Sequence, residues 1–409
     1  MTGHGLTVDG SSFQGLDFLE RTMRCLCYSA LILLTCCISS VPGQTRAGVE
    51  TAMQKRALTV EDLLSFQRVG APALDPQGAW VVYACSEITD SKNNKSVSRL
   101  WVAPTDGNMP ARPLTNPAGK DTNPKWSPDG RWILFESTRS GTSQLWVISS
   151  FGGEAKQITK INTGAGSAIW SPDGKRIAFV SAVYPEFSAL PFAESDAANK
   201  ARTDAIEASP VKARVFRRLF YRHWDSYVED RRQHLFVVDV EGEPTWDFKV
   251  SEPRDVTPGD RDAFPTSTTF SAPQDFCFSP DGTHLIFSAV PAENEAWSTN
   301  YDLCRVPVTG GTAEWETLTK SNPAADGLPV FSPSGTKLAF RSQRKPGYEA
   351  DKWEIFVAAC KPDGSLEGAA VSLTSQIDLS FDEIVWRTED QILTTAEMRG
   401  EKPVFAISP

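Results

Sequence analysis

The chain has 409 residues, 40% of them hydrophobic and 22% charged, with a formal net charge of −10. That is an ordinary globular composition with enough apolar residues for a sizeable core. The acidic balance argues against nucleic acid as a main partner.

The first element in chain order is an apolar run, MRCLCYSALILLTCCISSVPGQTRA, at residues 23–47. Arg24 gives it a short positive start, and residues 25–38 have the length of a secretory-signal core. A membrane span wants about 20 apolar residues, so the run is short for one. The reading is a signal peptide cut after Gly43 or Ala47. An uncleaved anchor and a lipoprotein signal at Cys36 remain alternatives, the latter with Thr35 where Gly or Ala is preferred. If the signal starts at Met23, residues 1–22 read as a non-native extension. A bacterial protein so exported is periplasmic or secreted.

Export permits disulfides. Cys25, Cys27, Cys36 and Cys37 would leave with the signal, while Cys85, Cys277, Cys304 and Cys360 stay. Cys277 and Cys304 fall on the first and third strands of one repeat unit, which argues against their pairing. No C-x-x-C survives, so the four read as small buried hydrophobes, with no zinc or redox site.

Residues 48–70 form a lead-in segment. In LTVEDLLSFQ, Thr59 and Asp62 have capping-box spacing, which predicts a short helix ahead of the first strands.

From residue 71 the sequence repeats itself. WSPDG occurs at 126–130 and 170–174, FSPDG at 278–282, FSPSG at 331–335, and worn copies LDPQG at 74–78 and WRTED at 386–390. The motif is a turn: Pro presets φ, Asp bonds nearby backbone, and Gly accepts positive φ. The apolar runs that follow (AWVVYACS, RWILFEST, KRIAFVSA, THLIFSAV, TKLAFRSQ, DQILTTAE) are strand-like and short for helices. A third strand follows each (RLWVAP, QLWVIS, HLFVVDV, DLCRVPV, EIFVAA, PVFAIS). An apolar residue and a threonine close most units, as in Leu114-Thr115 and Ile158-Thr159. Repeated four-stranded units predict an all-β fold, a β-propeller of antiparallel blades, over residues 71–409. About six blades are present, the sixth cut short at the end of the sequence. A β-sandwich is the duller alternative, but sandwiches do not repeat a motif at this spacing.

Blade three carries an insert, residues 185–232, expected to be partly helical. SDAANKARTDAIEA has helix formers behind a Ser195 cap. VKARVFRRLFYRHWDSYVEDRRQ then mixes six arginines with aromatics at 211–233. Arginine with aromatics makes recognition surfaces. The plainer alternative is that the aromatics pack the insert down while the arginine stems cover them.

No G-x-S-x-G, H-E-x-x-H, phosphate-binding loop or dinucleotide fingerprint is present, so no metal or cofactor is expected. Histidine is limited to His4, His223, His234 and His284, and nothing near them suggests a strained nucleophile turn.

Taken together, LTVEDLLSFQRVGAPALDPQGAWVVY, the WSPDG repeats and LFYRHWDSYVEDRRQHLFVVDV resemble the N-terminal half of the prolyl oligopeptidase family of serine peptidases. Within it the chain is most similar to the bacterial dipeptidyl-peptidase five and acylaminoacyl-peptidase group. The resemblance runs from about residue 58 to the end. TolB-type propellers share the blade motif; the lead-in helix and YRHWD in the blade-three insert are more specific. The resemblance implies a seven-bladed propeller capping a C-terminal α/β-hydrolase domain that carries Ser, Asp and His. The propeller would admit short peptides and hold their N-terminal side. Short peptides, the hydrolase domain and a second copy of the chain are the partners it implies.

The chain departs from the family in ending within blade six, and no position matches a triad residue. The expectation is therefore the gating and positioning region of an exported peptidase that releases dipeptides or acylated residues, not catalytic by itself. Within it, Arg222 would serve as donor, Asp225 as acceptor and Trp224 as a flat wall, with His223 beside them, placed over the ring's opening. The alternative for these residues is pairing among the insert's own charges, Glu229 and Arg231 included. A stand-alone TolB-like binding propeller is the other functional reading, though the lead-in is short for the domain such proteins carry ahead of the blades. An extracytoplasmic sugar- or lipid-binding propeller is a third, with no residue in particular behind it.

Overall fold

The computed structural model describes residues 56–117, 119–217, 219, 221–223, 226–227, 230–241, 248–263, 275–290, 296–311 and 314–409. The expected extension and signal segment lie outside them. At the start, the helix Val60–Ser65 is capped as its spacing implies. Asp62 N donates to Thr59 Oγ1 at 3.2 Å, and Thr59 N donates to Asp62 Oδ2 at 2.9 Å.

Among the described residues, six antiparallel sheets of three or more strands follow in chain order. Sheet one holds Trp80–Asp90 and Lys95–Pro104, flanked by the short strands Arg68–Val69, Ala73–Leu74 and Arg112–Pro113. Sheet two is Asp121–Trp126, Trp132–Ser137, Gln144–Ser149 and Lys156–Gln157. Sheet three is Gly166–Trp170, Arg176–Val183 and Arg232–Glu241, edged by Lys249–Val250 and Arg254–Asp255. Sheet four is Phe276–Phe278, His284–Ala289, Asp302–Pro307 and Glu316–Thr317. Sheet five is Asp326–Phe331, Lys337–Ser342, Glu354–Cys360 and Leu366–Ser372. Sheet six is Val385–Thr388, Gln391–Thr395 and Val404–Ile407. The lead-in thus ends earlier than its expected boundary at residue 70, because Arg68 and Val69 already pair with Ser86 and Cys85.

The core lies between sheets, not within them. Successive side chains of a strand point to opposite faces, so Ile133 packs towards sheet one with Val82 and Leu100. Leu134, the next residue, packs towards sheet three with Ile177 and Phe179. The same alternation joins sheet three to four through Leu235 and Phe287, four to five through Ile286 and Leu338, and five to six through Ile355 and Ile392. Each fully buried side chain of this kind contributes about 1.5–3 kcal/mol.

The repeated motif is a turn with a hydroxyl hub. Ser127 Oγ donates to Asp129 Oδ1 at 2.6 Å and accepts Trp132 N at 2.9 Å, while Arg131 N donates to Asp129 Oδ1 at 3.0 Å. Ser171 and Asp173, and Ser279 and Asp281, repeat this network. In sheet one Asp75 replaces the serine, and its own carboxylate accepts Trp80 N at 2.7 Å. Gly130 has φ +71°, as the turn requires.

The closing threonines also have one shared task. Thr115, Thr159, Thr257, Thr319 and Thr374 each accept the N–H of the leucine or isoleucine that begins the third-strand core, at 2.8–3.0 Å. The motif's tryptophan reaches back one sheet. Trp126 Nε1 donates to Ala73 O, Trp170 Nε1 to Lys125 O and Trp386 Nε1 to Val330 O.

The insert helix is Phe192–Ala208 and begins three residues before the expected Ser195 cap. Ser195 N already donates to Pro191 O at 2.9 Å, so Ser195 sits inside the first turn. The four described cysteines are free, with Cys85, Cys304 and Cys360 buried. Burial pushes the Cys304 and Cys360 thiols up to about 11, as fits small core hydrophobes.

Candidate functional site

The insert leaves sheet three after Val183 and returns at Arg232. Its helix is fastened to the sheets by named contacts. Asn199 is buried and accepts Tyr184 N at 2.7 Å. Asp196 takes both the backbone and side-chain amides of Asn162 at 2.8 and 2.6 Å. Phe192 meets Phe236 edge-on at 6.4 Å, and Arg202 lies over Tyr184 while pairing with Glu186 at 2.8 Å.

Past the helix the chain opens out. Arg222–His223 and Ser226–Tyr227 form a two-stranded ribbon, with Arg222 opposite Tyr227 and His223 opposite Ser226. Phe216 stacks on Tyr227 with ring centroids 5.5 Å apart and meets Tyr221 at 5.1 Å. Arg214 lies 4.2 Å over the Tyr227 ring. A shallow hollow of about 470 Å³ is lined by Phe216, Arg217, Leu219 and Tyr221. Val215, Leu219 and Tyr227 remain 71%, 55% and 48% exposed. The aromatics therefore stack on each other above the surface, where packing the insert down would have hidden them.

Of the four residues singled out in the sequence, Arg222 is an exposed residue of this ribbon and His223 follows it. Trp224, Asp225 and Glu229 lie outside the described residues. Sequence reasoning did not single out Phe216, Leu219 and Tyr221, although the spacing of aromatics among arginines was the available signal.

A second polar feature also went unread. Asn123, Ser167 and Leu328 have φ of 51°, 52° and 56°, each at a bulge in a first strand. Ser167 N donates to Glu136 Oε1 at 2.8 Å, and Leu328 N donates to Asp275 Oδ1 at 2.9 Å. A carboxylate of one sheet thus holds the bulge of the next. Burial raises the Glu136 carboxyl, with Asn123, Ser167 and Lys125 opposing the shift. Burial also lowers the Lys125 ammonium, opposed by Glu136. Residue type gives no uniform signal for it, since Asn123 and Ser167 are polar and Leu328 is not.

His234 and Asp255 have the spacing of a catalytic pair, Nδ1 to Oδ2 at 2.7 Å. His234 Nε2, however, lies 2.9 Å from Gly259 O, and the ring is fully buried. Both nitrogens are occupied, so this imidazole has no nitrogen left for a nucleophile. His284 Nδ1 lies 2.8 Å from Thr283 Oγ1 within the sheet-four turn, where Thr283 also donates to Asp281. Among the described residues no three His, Cys, Asp or Glu side chains gather as a metal-binding set.

A family profile described as TolB beta propeller domain matches residues 47–249. The chain carries a β-propeller, which over those residues is similar to the TolB type. The chain is 28% identical over 306 residues to dipeptidyl-peptidase 5 of Porphyromonas endodontalis, covering 74% of the chain and 41% of that protein. It is 29% identical over 358 residues to dipeptidyl-peptidase 5 of Porphyromonas gingivalis, covering 87% of the chain and 48% of that protein. The chain therefore spans about half the length of the curated relatives it matches. Among solved structures, the acylaminoacyl peptidase of Pyrococcus horikoshii aligns with TM-score 0.54 at 14% identity. That alignment covers 83% of the chain and 44% of the peptidase, and at this identity it speaks for the fold alone. The propeller fold and the resemblance to the propeller half of the peptidase family are borne out.

Proposed function

We propose that the chain is the substrate-gating and substrate-positioning propeller of an exported serine peptidase that releases dipeptides or acylated residues from peptide N-termini. The observation that carries this reading is the match to two dipeptidyl-peptidase 5 proteins over 74% and 87% of the chain. The exposed arginine-aromatic ribbon of the blade-three insert supports it, because it offers stacking faces and guanidinium donors to a short peptide. Its partners on this reading are short peptides, an α/β-hydrolase domain and a second copy of the chain. The apolar run at residues 23–47 supports an exported, periplasmic or secreted location.

Arg222, Trp224 and Asp225, with His223, hold the N-terminal part of the peptide on this reading. A carboxylate suits an ammonium, and a guanidinium suits peptide carbonyls. The test is hydrolysis of dipeptidyl amides by the longer enzyme that carries this propeller. Asp225→Asn and Arg222→Met each lower kcat/KM by the equivalent of about 1.5–3 kcal/mol, while the melting temperature stays within a degree or two. Unchanged activity with a lowered melting temperature would make the insert structural and remove the assignment. A stand-alone binding propeller, favoured by the family profile, is the outcome if no dipeptidyl amide is turned over and peptides still bind.

A further inference from the structure

The blade-three insert carries its charge against the grain of the chain. Residues 211–222 hold five basic side chains and no acidic one, in a protein of net charge −10. On either side of this stretch the arginines are paired. Arg202 meets Glu186 at 2.8 Å, and the buried Arg232 meets Asp262 at 2.7 Å and Asp260 at 2.8 Å. Arg214, Arg217 and Arg222 lie between them and are exposed. Among the described residues none of these three forms an ion pair, and Arg214 has only the face of a ring.

The three cations gather on one stacked pair of rings. Arg214 lies 4.2 Å over Tyr227, and Arg222 is the cross-strand partner of the same residue. Phe216, stacked on Tyr227 at 5.5 Å, lines the hollow of about 470 Å³ beside Arg217, Leu219 and Tyr221. A hollow of that size is in the range of a site for a small ligand or a side chain.

Charge and surface together restrict what can sit there. A peptide's α-ammonium is repelled by its like charges. A neutral side chain would use the rings and leave the guanidiniums with water. A long polyanion such as a nucleic acid would run past the patch into the field of the acidic remainder. A carboxylate on a short peptide meets the patch alone. Its two oxygens match the fork of a guanidinium, and the apolar groups beside Arg217 keep water from part of the contact. That raises the pair above the small worth of a fully solvated one. The peptide residue next to the carboxylate then has the faces of Phe216 and Tyr221 to lie on.

We propose that this hollow binds the carboxylate of an acidic short peptide. Arg217 is its direct partner, Arg214 and Arg222 add positive charge, and Phe216 and Tyr221 receive the adjoining residue. The proposal rests on the reading of the propeller as a peptide-positioning domain and adds which peptides it favours, those carrying Asp or Glu.

The test uses the full chain and labelled short peptides, amidated at the C-terminus and alike except for Glu, Gln or Lys at the central positions. Binding is read by fluorescence anisotropy. The Glu peptide is expected to bind about tenfold more tightly than the Gln peptide at low salt, and the Lys peptide most weakly. The preference shrinks as salt is raised. Arg217→Met removes most of it while the melting temperature stays within a degree or two, as an exposed substitution allows. Equal binding of the Glu and Gln peptides overturns the proposal and leaves peptide positioning standing. Binding of neither also overturns it, and hydrolysis by the longer enzyme then judges the positioning reading separately. A preference that survives in both Arg217→Met and Arg214→Met places the carboxylate elsewhere and overturns the assignment. A Gln peptide with a free C-terminus that binds as tightly as the Glu peptide supports the site and names the main-chain carboxylate as the group bound.

Discussion

Sheet two and the ribbon of the insert both set an arginine over aromatic rings, and they do opposite things with it. Arg139 lies 4.8 Å over Trp146 and 5.5 Å over Phe135 while pairing with the wholly buried Asp121. Arg214 lies 4.2 Å over Tyr227, which stacks on Phe216, and both rings keep 40% or more of their surface in solvent, at 48% and 41%. The first arrangement is anchored on a fully buried carboxylate, with Arg139 itself 22% exposed, and serves the fold. The second leaves both of its rings part-exposed. Residue type is therefore a poor guide to setting: the same pair sits against a buried carboxylate in one place and keeps its rings part-exposed in the other.

The largest expected effect lies on the closed side. Phe135→Ala removes a ring that is 1% exposed at the sheet-one seam, and should cost about 3–5 kcal/mol in chemical denaturation. A loss under 1 kcal/mol would mean that the seam repacks freely, and the contrast with the ribbon would fail.

A smaller loss is expected at the turn. Ser127→Ala leaves the buried Trp132 N–H without its acceptor, at a cost of about 1–3 kcal/mol. Ser127→Thr, which keeps the hydroxyl, should recover much of it; equal damage from both would point to the side chain's shape rather than its hydrogen bond.

Next is a pH dependence that separates buried charge from exposed charge. Burial raises the folded-state Asp326 carboxyl to about 7, from 3.8. The folded state then holds its proton more tightly than the unfolded state, so stability is greatest at low pH, falls as pH rises from about 4 to about 7, and is flat beyond. Asp302, coupled to it and also raised, acts in the same direction. Melting curves across this range should show that fall for the wild type and a shallower one for Asp326→Asn. Parallel curves would remove Asp326 as its source.

The smallest effect on stability belongs to the ribbon. Phe216→Ala should change stability by about 0.5 kcal/mol or less, as an exposed substitution does, while weakening the binding of short peptides by about 1–3 kcal/mol, a stacking-scale loss. Binding unchanged alongside a marked drop in melting temperature would put the ribbon with the sheets. The chain assayed alone should show no inhibitor-sensitive turnover of fluorogenic dipeptides, because the His234 ring is committed at both nitrogens.

The blades were legible because their punctuation is local. A Ser-Pro-Asp-Gly turn and a closing threonine act within a few residues or on the adjacent strand, so the strings WSPDG and Leu-Thr carried strand order and register together. The serine's role as hub was not legible, since the strings show Pro, Asp and Gly as the turn formers and give no sign that the hydroxyl serves the N–H five residues on. The start of the insert helix was misplaced because Pro191, which opens it without a side-chain cap, gives a weaker signal than a serine. The closeness of Asp302 to Asp326 was invisible because the two are 24 residues apart and meet only when sheets four and five pack. Arg222 and the insert's aromatics were noticed through composition, but the stacking of Phe216 on Tyr227 was not legible because stacking is a matter of geometry.

The tryptophans that open three of the repeat motifs give the fold a direction in time. Trp126, Trp170 and Trp386 donate to Ala73, Lys125 and Val330, and in every case the acceptor carbonyl comes earlier in the chain than the donor. During synthesis the waiting oxygen is made before the indole that meets it. A newborn blade therefore finds its latch already laid down on the blade before it, and need not hold an unmet donor open for a blade still to be made. Growth from the N-terminus adds one seam at a time, and each indole is the bolt that closes the seam just formed.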